Sequence, residues 1–202
     1  MKGLKVQELI SSGVYATVYF FVVFIATFIL RFTVPVFNSL LIPAFSAILS
    51  GVVYLMVVNR IPKFGAITIV GSVMGIFFLI FGYFPLAFLP GFVFPLLADF
   101  VQNKTKIEEK VKLFLSYTIF SFGLTGPILP LWFMKEAYVD SLLQRGKDQT
   151  YVDSVFAPVT TATFFISMGL IVVCSIIGLV IGKRIYQKHF SKDKRNGSSI
   201  WV

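Results

Sequence analysis

Long stretches without a charged residue constrain the fold of this chain more than any other feature. They cover residues 9–30, 32–59, 64–98, 113–134 and 154–182. A bilayer's hydrocarbon core is about 30 Å thick, so a helix needs roughly 20 apolar residues to cross it. Because the backbone in lipid must satisfy its own hydrogen bonds, these stretches favour helices over strands. Each has room for one crossing except 64–98, which has room for two short helices with a break at 82–85.

The sequence therefore predicts an all-α integral membrane protein with six transmembrane helices in a single domain, residues 1–202. We place these helices at about 9–30, 36–58, 62–82, 84–101, 112–132 and 160–182. A long outside loop at 133–158 and a basic cytoplasmic tail at 183–202 complete the prediction.

The distribution of positive charge predicts the orientation. If the N terminus lies in the cytoplasm, all but four of the 18 lysines and arginines fall inside. The four outside are Arg31, Lys135, Arg145 and Lys147. Cytoplasmic loops carry the excess of basic residues, so both termini are expected in the cytoplasm. A five-helix alternative with a re-entrant segment would put one basic terminus outside.

The composition excludes an ordinary soluble domain. Hydrophobic residues make up 57% of the chain, and the mean hydropathy is +0.87. The net charge of +9 would suit a nucleic-acid-binding protein. Here, however, the basic residues lie in short loops beside apolar segments, and anionic lipid headgroups explain that placement better.

Residues suited to catalysis are scarce. The single histidine, His189, lies in the basic tail, and the single cysteine, Cys174, is expected to be a small buried apolar residue of the last helix. This argues against multi-histidine metal sites and histidine-paired nucleophiles, and the chain has no Walker A loop. We therefore expect no enzyme activity, metal or cofactor in this chain. Asp99, the deepest carboxylate, lies near Lys104, where an interfacial or paired role is expected.

The long outside loop begins with an amphipathic segment. Apolar side chains recur at helical spacing at Leu131, Met134, Tyr138 and Leu142. This spacing predicts that residues 133–144 continue the fifth helix, with Gly146 as its C-cap. A loop of this length in a compact protein is usually functional.

Polar and aromatic residues that suit a ligand gather on the outside. Trp132, Glu136 and Asp140 have the spacing i, i+4, i+8, which predicts a shared helical face. Aromatic walls with a few polar groups are what a small-molecule pocket needs. Interfacial anchoring is the alternative for the tryptophan and tyrosines, and simple solvation for the charges. The predicted binding residues are Asn38, Tyr83, Trp132, Glu136, Tyr138 and Asp140.

Small residues predict where helices approach closely. Two pairs are Gly71-x-x-x-Gly75 in helix 3 and Gly178-x-x-x-Gly182 in helix 6. A third group, at the start of helix 1, comprises Ser12, Gly13 and Ala16. Small residues let backbones touch and gain van der Waals contact, the main attraction between helices in lipid. They indicate either packing within the chain or, best for the group on helix 1, docking onto another membrane subunit.

Prolines interrupt two of the predicted helices. Pro85, Pro90 and Pro95 fall in the fourth, and Pro127 and Pro130 at the outer end of the fifth. Each removes a backbone donor and bends its helix. Freed carbonyls are tolerated at membrane depth only where they are buried in protein or face a cavity. The prolines therefore indicate either simple kinks or a cavity near the outer leaflet between helices 4 and 5.

Three short sequences carry a resemblance to a known family. They are LKVQELI at 4–10 leading into GVYA at 13–16, GPILPLW at 126–132, and Gly182 followed by KHFSK at 188–192. With its length and predicted topology, the chain resembles the substrate-binding S components of energy-coupling factor (ECF) transporters, which are ABC-type importers. More narrowly, it resembles the Trep_Strep (MptD-type) group of membrane subunits.

The resemblance implies an S-component-like bundle in the bacterial cell membrane, with a ligand bound from outside among helices 4–6 and the loops after helices 1, 3 and 5. It implies a vitamin or another micronutrient as the substrate. It also implies a transmembrane coupling subunit and two ATPase subunits as partners, so that ATP is hydrolysed outside this chain. Many S components dock through an Ala-x-x-x-Ala pair on helix 1. Ser12 and Ala16 occupy those positions here, and the serine departs from the pattern.

An independent secondary transporter or channel for a small solute is the alternative. Such a carrier normally has ionisable groups near the middle of the membrane and internal inverted repeats. The predicted helices carry neither signal, so the S component is the preferred interpretation.

Overall fold

The computed structural model describes residues 4–34, 37–84 and 86–189, without the side chain of Asn38. Within these residues the chain is helical and contains no strand. The α-helices are α1 (Val6–Thr33), α2 (Asn38–Arg60), α3 (Ala66–Ile80), α4 (Leu89–Lys104), α5 (Glu109–Ser121), α6 (Pro130–Phe133), α7 (Lys135–Gln144), α8 (Gln149–Phe156) and α9 (Thr161–His189). A 3₁₀ turn, Phe122–Thr125, follows α5.

Three of the described helices are long and apolar enough to cross a membrane. They are α1, the Ser39–Arg60 part of α2, and α9. The other large helices are shorter, with 15 residues in α3, 16 in α4 and 13 in α5. At 1.5 Å of rise per residue, α5 covers only about 20 Å, less than the hydrocarbon core of a bilayer.

Helices α2 and α9 pack with their backbones in contact. A Cβ atom added at Gly51 would lie 2.2 Å from the carbonyl oxygen of Gly178, and one added at Gly178 would lie 2.0 Å from that of Ala47. Gly182 in turn contacts the backbone of Gly51. The glycine pair of α9 therefore serves packing within the chain. Later residues of α2 contact later residues of α9, so the two helices run parallel.

Helices α3 and α4 also meet through small residues, in the antiparallel sense. A Cβ added at Gly71 would lie 2.2 Å from Cγ of Pro95, and one added at Gly91 would lie 2.6 Å from Cα of Gly75. The predicted close approach at Gly71 and Gly75 is thus a contact between these two helices. Pro95, which bends α4, fills the space that Gly71 leaves open.

The six largest helices alternate in direction. Helices α1 and α3 run parallel, since Leu4 contacts Gly65 at one end and the rings of Phe20 and Phe77 lie 5.2 Å apart further along. Helices α2 and α9 run the opposite way. Consequently Leu4 and His189 lie at the same end of the bundle. We call this the proximal end, and the opposite end the distal end.

Aromatic rings at the centre of the bundle hold α1, α2 and α5 together. The rings of Tyr19, Tyr54, Tyr117 and Phe120 have centroids 4.8 to 6.4 Å apart. The hydroxyl of Tyr117 also donates to the backbone carbonyl of Ala47. This core makes α2 the central helix around which the others pack.

The distal half differs most from the prediction. The helix predicted at 112–132 ends at Ser121, where a 3₁₀ turn begins. Pro127 and Pro130 lack backbone donors, so an unbroken α-helix cannot resume through them. The helix predicted at 84–101 begins only at Leu89, with Pro90 in its first turn, where proline is tolerated.

The predicted loop at 133–158 is largely helical, since it contains α7 and α8. Its first part does not continue the fifth helix, because Met134, with φ −138° and ψ 43°, separates α7 from α6. The predicted end of this segment is confirmed. Gly146 has a φ of +75°, and its N–H donates to the carbonyl of Leu143.

The proximal half is held by a buried carboxylate and an ion pair. Asp99 is fully buried, and its Oδ2 accepts hydrogen bonds from the N–H groups of Gly65 and Thr68 at 2.8 and 2.9 Å. Its Oδ1 accepts one from Asn103 at 2.7 Å. The predicted paired role thus takes the form of capping the first turn of α3 from α4. Beside it, Lys63 Nζ lies 2.7 Å from Oε1 of Glu8 on α1.

Candidate functional site

Aromatic side chains from three segments, namely the turn after α3, α7 and α8, lie at the distal end. We call Tyr83, Phe84, Tyr138, Tyr151 and Phe156 the distal aromatic cluster. The ring of Tyr138 lies 5.6 Å from that of Phe84 and 6.1 Å from that of Phe156, measured between centroids. Phe84 is buried, Tyr138 is half-buried, and Tyr83 and Tyr151 are exposed. The cluster therefore has a buried ring, Phe84, beneath exposed aromatic surface.

The cluster forms because each segment ends or turns at this point. Tyr83 and Phe84 follow the end of α3, where Gly82 takes a φ of +68° and turns the chain toward α4. Tyr138 lies on the face of α7 that packs against the bundle, together with the buried Leu142. The helical spacing noted in the sequence therefore orients Tyr138 correctly, although α7 is a separate helix.

The phenol of Tyr138 is neutral, and neighbouring side chains of the distal end affect its pKa. Burial raises the pKa of Tyr138, and the neighbouring phenols of Tyr151 and Tyr83 act in the same direction. The guanidinium of Arg145 acts in the opposite direction. A neutral phenol both donates and accepts hydrogen bonds, so it can position a polar ligand atom.

Three cations surround the aromatic rings. Nζ of Lys135 lies 5.4 Å from the ring centroid of Phe156, and Nζ of Lys147 lies 4.9 Å from that of Tyr151. Arg145 follows the end of α7, close enough to influence Tyr138. In the part of the chain that the structure describes, none of the three forms an ion pair. The positive charge beside the rings is therefore not neutralised by direct ion pairing among the described residues.

The two carboxylates predicted to bind substrate point elsewhere. Glu136 and Asp140 are exposed on α7, each two residues from Tyr138. Two residues along an α-helix correspond to a rotation of about 200°, so both carboxylates leave the helix on the side opposite Tyr138. The structure thus brings Tyr83 and Tyr138 together but does not add Glu136 or Asp140 to them.

Trp132 connects α6 to the beginning of α9. Its indole N–H donates to the carbonyl of Thr160 at 2.9 Å, and its ring lies 5.3 Å from that of Phe164. Because the chain breaks at Met134, Trp132 does not share a helical face with Glu136 and Asp140, and that prediction is wrong. Trp132 occupies the position of an anchor between two segments.

The last predicted binding residue, Asn38, begins α2. Its side chain lies outside the described part of the structure, so its role stays a prediction.

The predicted docking residues of α1 face different ways. Ser12 is fully buried, and its hydroxyl donates to the carbonyl of Glu8 at 2.8 Å. Ala16 is also buried, on the face that contributes Tyr19 to the core. Gly13 is exposed, and an added Cβ there would meet nothing within 4 Å. Helical periodicity explains the correction, because 12 and 16 share the inward face whereas 13 lies outside it.

A cleft of about 190 Å³ opens beside the first turn of α4. Its walls are apolar and consist of Leu86, Leu89, Pro90, Gly126, Leu129, Pro130, Phe133 and Met134. Gly126 brings the two walls together, since a Cβ added there would lie 1.8 Å from the carbonyl oxygen of Ala87. The cleft lies where the prolines indicated a cavity, but the predicted binding residues are not among its walls.

Sequence reasoning missed several members of the distal site. Phe84 and Phe156 carried no signal beyond their type, since apolar residues are common throughout the chain. Arg145 and Lys147 were visible as two of the four basic residues predicted outside, and that position was the signal that could have identified them. Among the described residues, no group of three or more His, Cys, Asp or Glu side chains is placed to hold a metal ion.

Comparison with known proteins gives one match. A family described as "Hypothetical bacterial integral membrane protein (Trep_Strep)" matches residues 6–192. Neither a curated protein nor a solved structure matches the chain.

Proposed function

Because this chain belongs to the Trep_Strep family of bacterial integral membrane proteins, we propose that it is the substrate-binding (S) component of an energy-coupling factor importer. In this role it captures a vitamin or another micronutrient outside the cell. A transmembrane coupling subunit and two ATPase subunits then supply the energy for release inside. The chain itself binds and presents the substrate and leaves ATP hydrolysis to its partners.

The alternating helix directions support this topology. Six helices of alternating direction bring the two described chain ends to the proximal end, as six membrane crossings require. The same end carries basic residues that would lie in the cytoplasm under the positive-inside rule. They include Lys5, Arg60, Lys63, Lys104, Lys106, Lys110 and Lys183. The distal aromatic cluster would then face the outside, where an importer meets its substrate.

The observation that supports the proposal most strongly is the early end of α5, which stops at Ser121 and is too short to cross a membrane. Non-helical backbone at membrane depth is tolerated only where it is buried in protein or lines a cavity. After Ser121 the chain passes through a 3₁₀ turn and the wall of the apolar cleft before it enters α6 and α7. The interruption therefore places turns of the chain beside an apolar cleft, and small-molecule sites are typically concave and mostly apolar.

The buried carboxylate of the proximal half fits a chain that relies on partners for energy. Oδ2 of Asp99 accepts three hydrogen bonds, from the backbone N–H groups of Gly65 and Thr68 at the start of α3 and from the hydroxyl of Thr68. A carboxylate held in this way stabilises one arrangement of α3 and α4. A carboxylate that carries an ion across the membrane must instead exchange its partners during each cycle.

The proposal is tested by isolating the tagged chain from native membranes in a mild detergent and identifying all retained proteins by mass spectrometry. We expect two ATPases and one membrane coupling subunit to be retained. A folded chain that repeatedly comes down alone, and that moves a solute into liposomes without ATPases, would contradict the proposal and identify an independent transporter.

A further inference from the structure

Charge is distributed unevenly around the distal aromatic cluster. Lys135 and Lys147 lie over its rings, and Arg145 acts on its central phenol. Two carboxylates of the same region, those of Asp148 and Asp153, have neutral hydrogen-bond partners. Oδ1 of Asp148 accepts the N–H of Tyr151 at 2.8 Å and so caps α8, and Oδ1 of Asp153 accepts a hydrogen bond from Gln149 at 2.9 Å. A neutral partner does not cancel the charge of a carboxylate, so around the cluster the three cations outnumber these two carboxylates by one.

The far side of α7 shows the opposite charge. Glu136 and Asp140 are exposed there, roughly 160° around the helix from Tyr138. Over residues 133–158 the positive and negative charges nearly cancel, so the net charge of this segment does not reveal the separation. Only the three-dimensional arrangement shows that the positive charges belong to the cluster side of α7 and the two carboxylates to the other side.

The phenols of the cluster are open to a ligand. Within the described part of the chain, the hydroxyls of Tyr83, Tyr138 and Tyr151 make no hydrogen bond. A buried or half-buried hydroxyl without a partner loses stability unless a ligand or water supplies one. The half-buried hydroxyl of Tyr138 and the exposed hydroxyls of Tyr83 and Tyr151 can donate to the oxygen atoms of an anion while the rings cover its apolar part.

From this arrangement we propose that the distal aromatic cluster binds a small, water-soluble anion that carries a flat ring. Arg145 and Lys147 pair with a carboxylate or phosphate group, for which a guanidinium supplies two parallel hydrogen bonds. The rings of Tyr138 and Phe156 pack against the flat part of the ligand. This inference rests on the proposed function, because it assigns the substrate class of the same outward-facing site.

The test measures charge preference directly in the full-length protein. The chain is placed in nanodiscs of zwitterionic lipid, and three probes with the same ring are offered by equilibrium dialysis. The probes are 1-naphthoate, 1-naphthalenemethanol and 1-naphthylmethylammonium, and empty discs give the background. We expect 1-naphthoate to bind roughly tenfold more tightly than the ammonium probe, a ratio that corresponds to about 1.4 kcal/mol.

Two matched variants locate the preference. Lys135→Gln, Arg145→Gln and Lys147→Gln combined should abolish the preference for the anion. Glu136→Gln with Asp140→Asn removes two charges from the other side of the same helix and should leave it unchanged. Equal binding of all three probes, or a preference that survives the triple substitution, would overturn the inference.

The lipid headgroup is the other possible source of an anion. If discs that contain phosphatidylglycerol abolish 1-naphthoate binding, the site belongs to headgroups, and the inference of a soluble ligand fails. The test is independent of the importer proposal, because it needs no partner subunit. If the protein prefers 1-naphthoate but retains no ATPases, the inference stands and the importer proposal fails. If it retains the ATPases but shows no preference for 1-naphthoate, the importer proposal stands and the inference fails.

Discussion

The two ends of the bundle use their polar groups in opposite ways. At the proximal end Asp99 accepts four hydrogen bonds from residues of α3, α4 and the turn before α3, and Lys63 pairs with Glu8. At the distal end the hydroxyls of Tyr83 and Tyr138 have no partner in the described chain, and three nearby cations form no ion pair.

The contrast indicates different roles for the two sets of polar groups. A buried polar network whose members satisfy one another stabilises a single arrangement of its helices. A half-buried polar group without a protein partner, such as the hydroxyl of Tyr138, costs stability unless a ligand or water completes it. The proximal end is therefore the fixed base, and the distal end has the open polar groups that the proposed substrate site requires.

The substitution with the largest expected effect is Asp99→Asn, which tests whether the polar network of the proximal end stabilises the fold. The amide can keep its one acceptor oxygen toward the N–H groups of Gly65 and Thr68, but its NH2 group then faces the NH2 group of Asn103 in place of the acceptor Oδ1. Leaving buried groups unsatisfied in this way should cost about 3 kcal/mol of folding stability. We expect a clear fall in Tm in detergent, whereas the exposed Asp140→Asn should keep the wild-type Tm. Equal Tm values for both variants would show that the proximal base is not held by Asp99.

The backbone of the distal end gives the next largest effect. In Gly126→Ala the new Cβ would lie 1.8 Å from the carbonyl oxygen of Ala87, so the backbone on one side of the cleft must move. Such overpacking typically costs about 1–3 kcal/mol. Gly123→Ala is the matched control, because its Cβ would lie 3.4 Å from Pro95, an ordinary contact. Thermal unfolding of both variants should separate them, and similar curves would mean that the cleft walls are not rigid.

Trp132→Phe should have a smaller effect. The substitution keeps an aromatic ring against Phe164 but removes the hydrogen bond to the carbonyl of Thr160, worth about 1 kcal/mol. We expect faster hydrogen exchange in α6 and the start of α9, with little change at the proximal end. If exchange stayed unchanged while ligand binding fell, Trp132 would be a binding residue after all, as the sequence had indicated.

The sequence predicted those features that depend on local pattern. The spacing of Tyr138 and Leu142 identified the inward face of α7, and Gly146 marked its end, because helical periodicity and a left-handed φ are properties of short segments. Close packing at Gly178 and Gly182 also followed from residue size alone.

The features that failed depend on contacts between distant segments. The prolines near 127–130 indicated a disturbance, but the break at Met134 between α6 and α7 places Trp132 off the face of Glu136 and Asp140. Likewise, the donors to Asp99 come from Gly65 and Thr68, more than thirty positions earlier in the chain. No periodicity in the sequence links such positions, so their pairing becomes visible only in the folded molecule.

The substitution with the smallest expected effect on stability tests whether the proximal end of α1 contacts the proposed coupling subunit. Gly13 lies near the proximal end of α1 with open space around it, so Gly13→Leu should fold normally. If α1 docks on the coupling subunit through this exposed face, the leucine should reduce recovery of that subunit about tenfold in a pull-down. Gly169→Leu is the matched control, since this exposed glycine of α9 has equally open surroundings and lies toward the distal end. Equal recovery with both variants would move docking to another face of the bundle, because the buried Ser12 and Ala16 are not accessible in this arrangement.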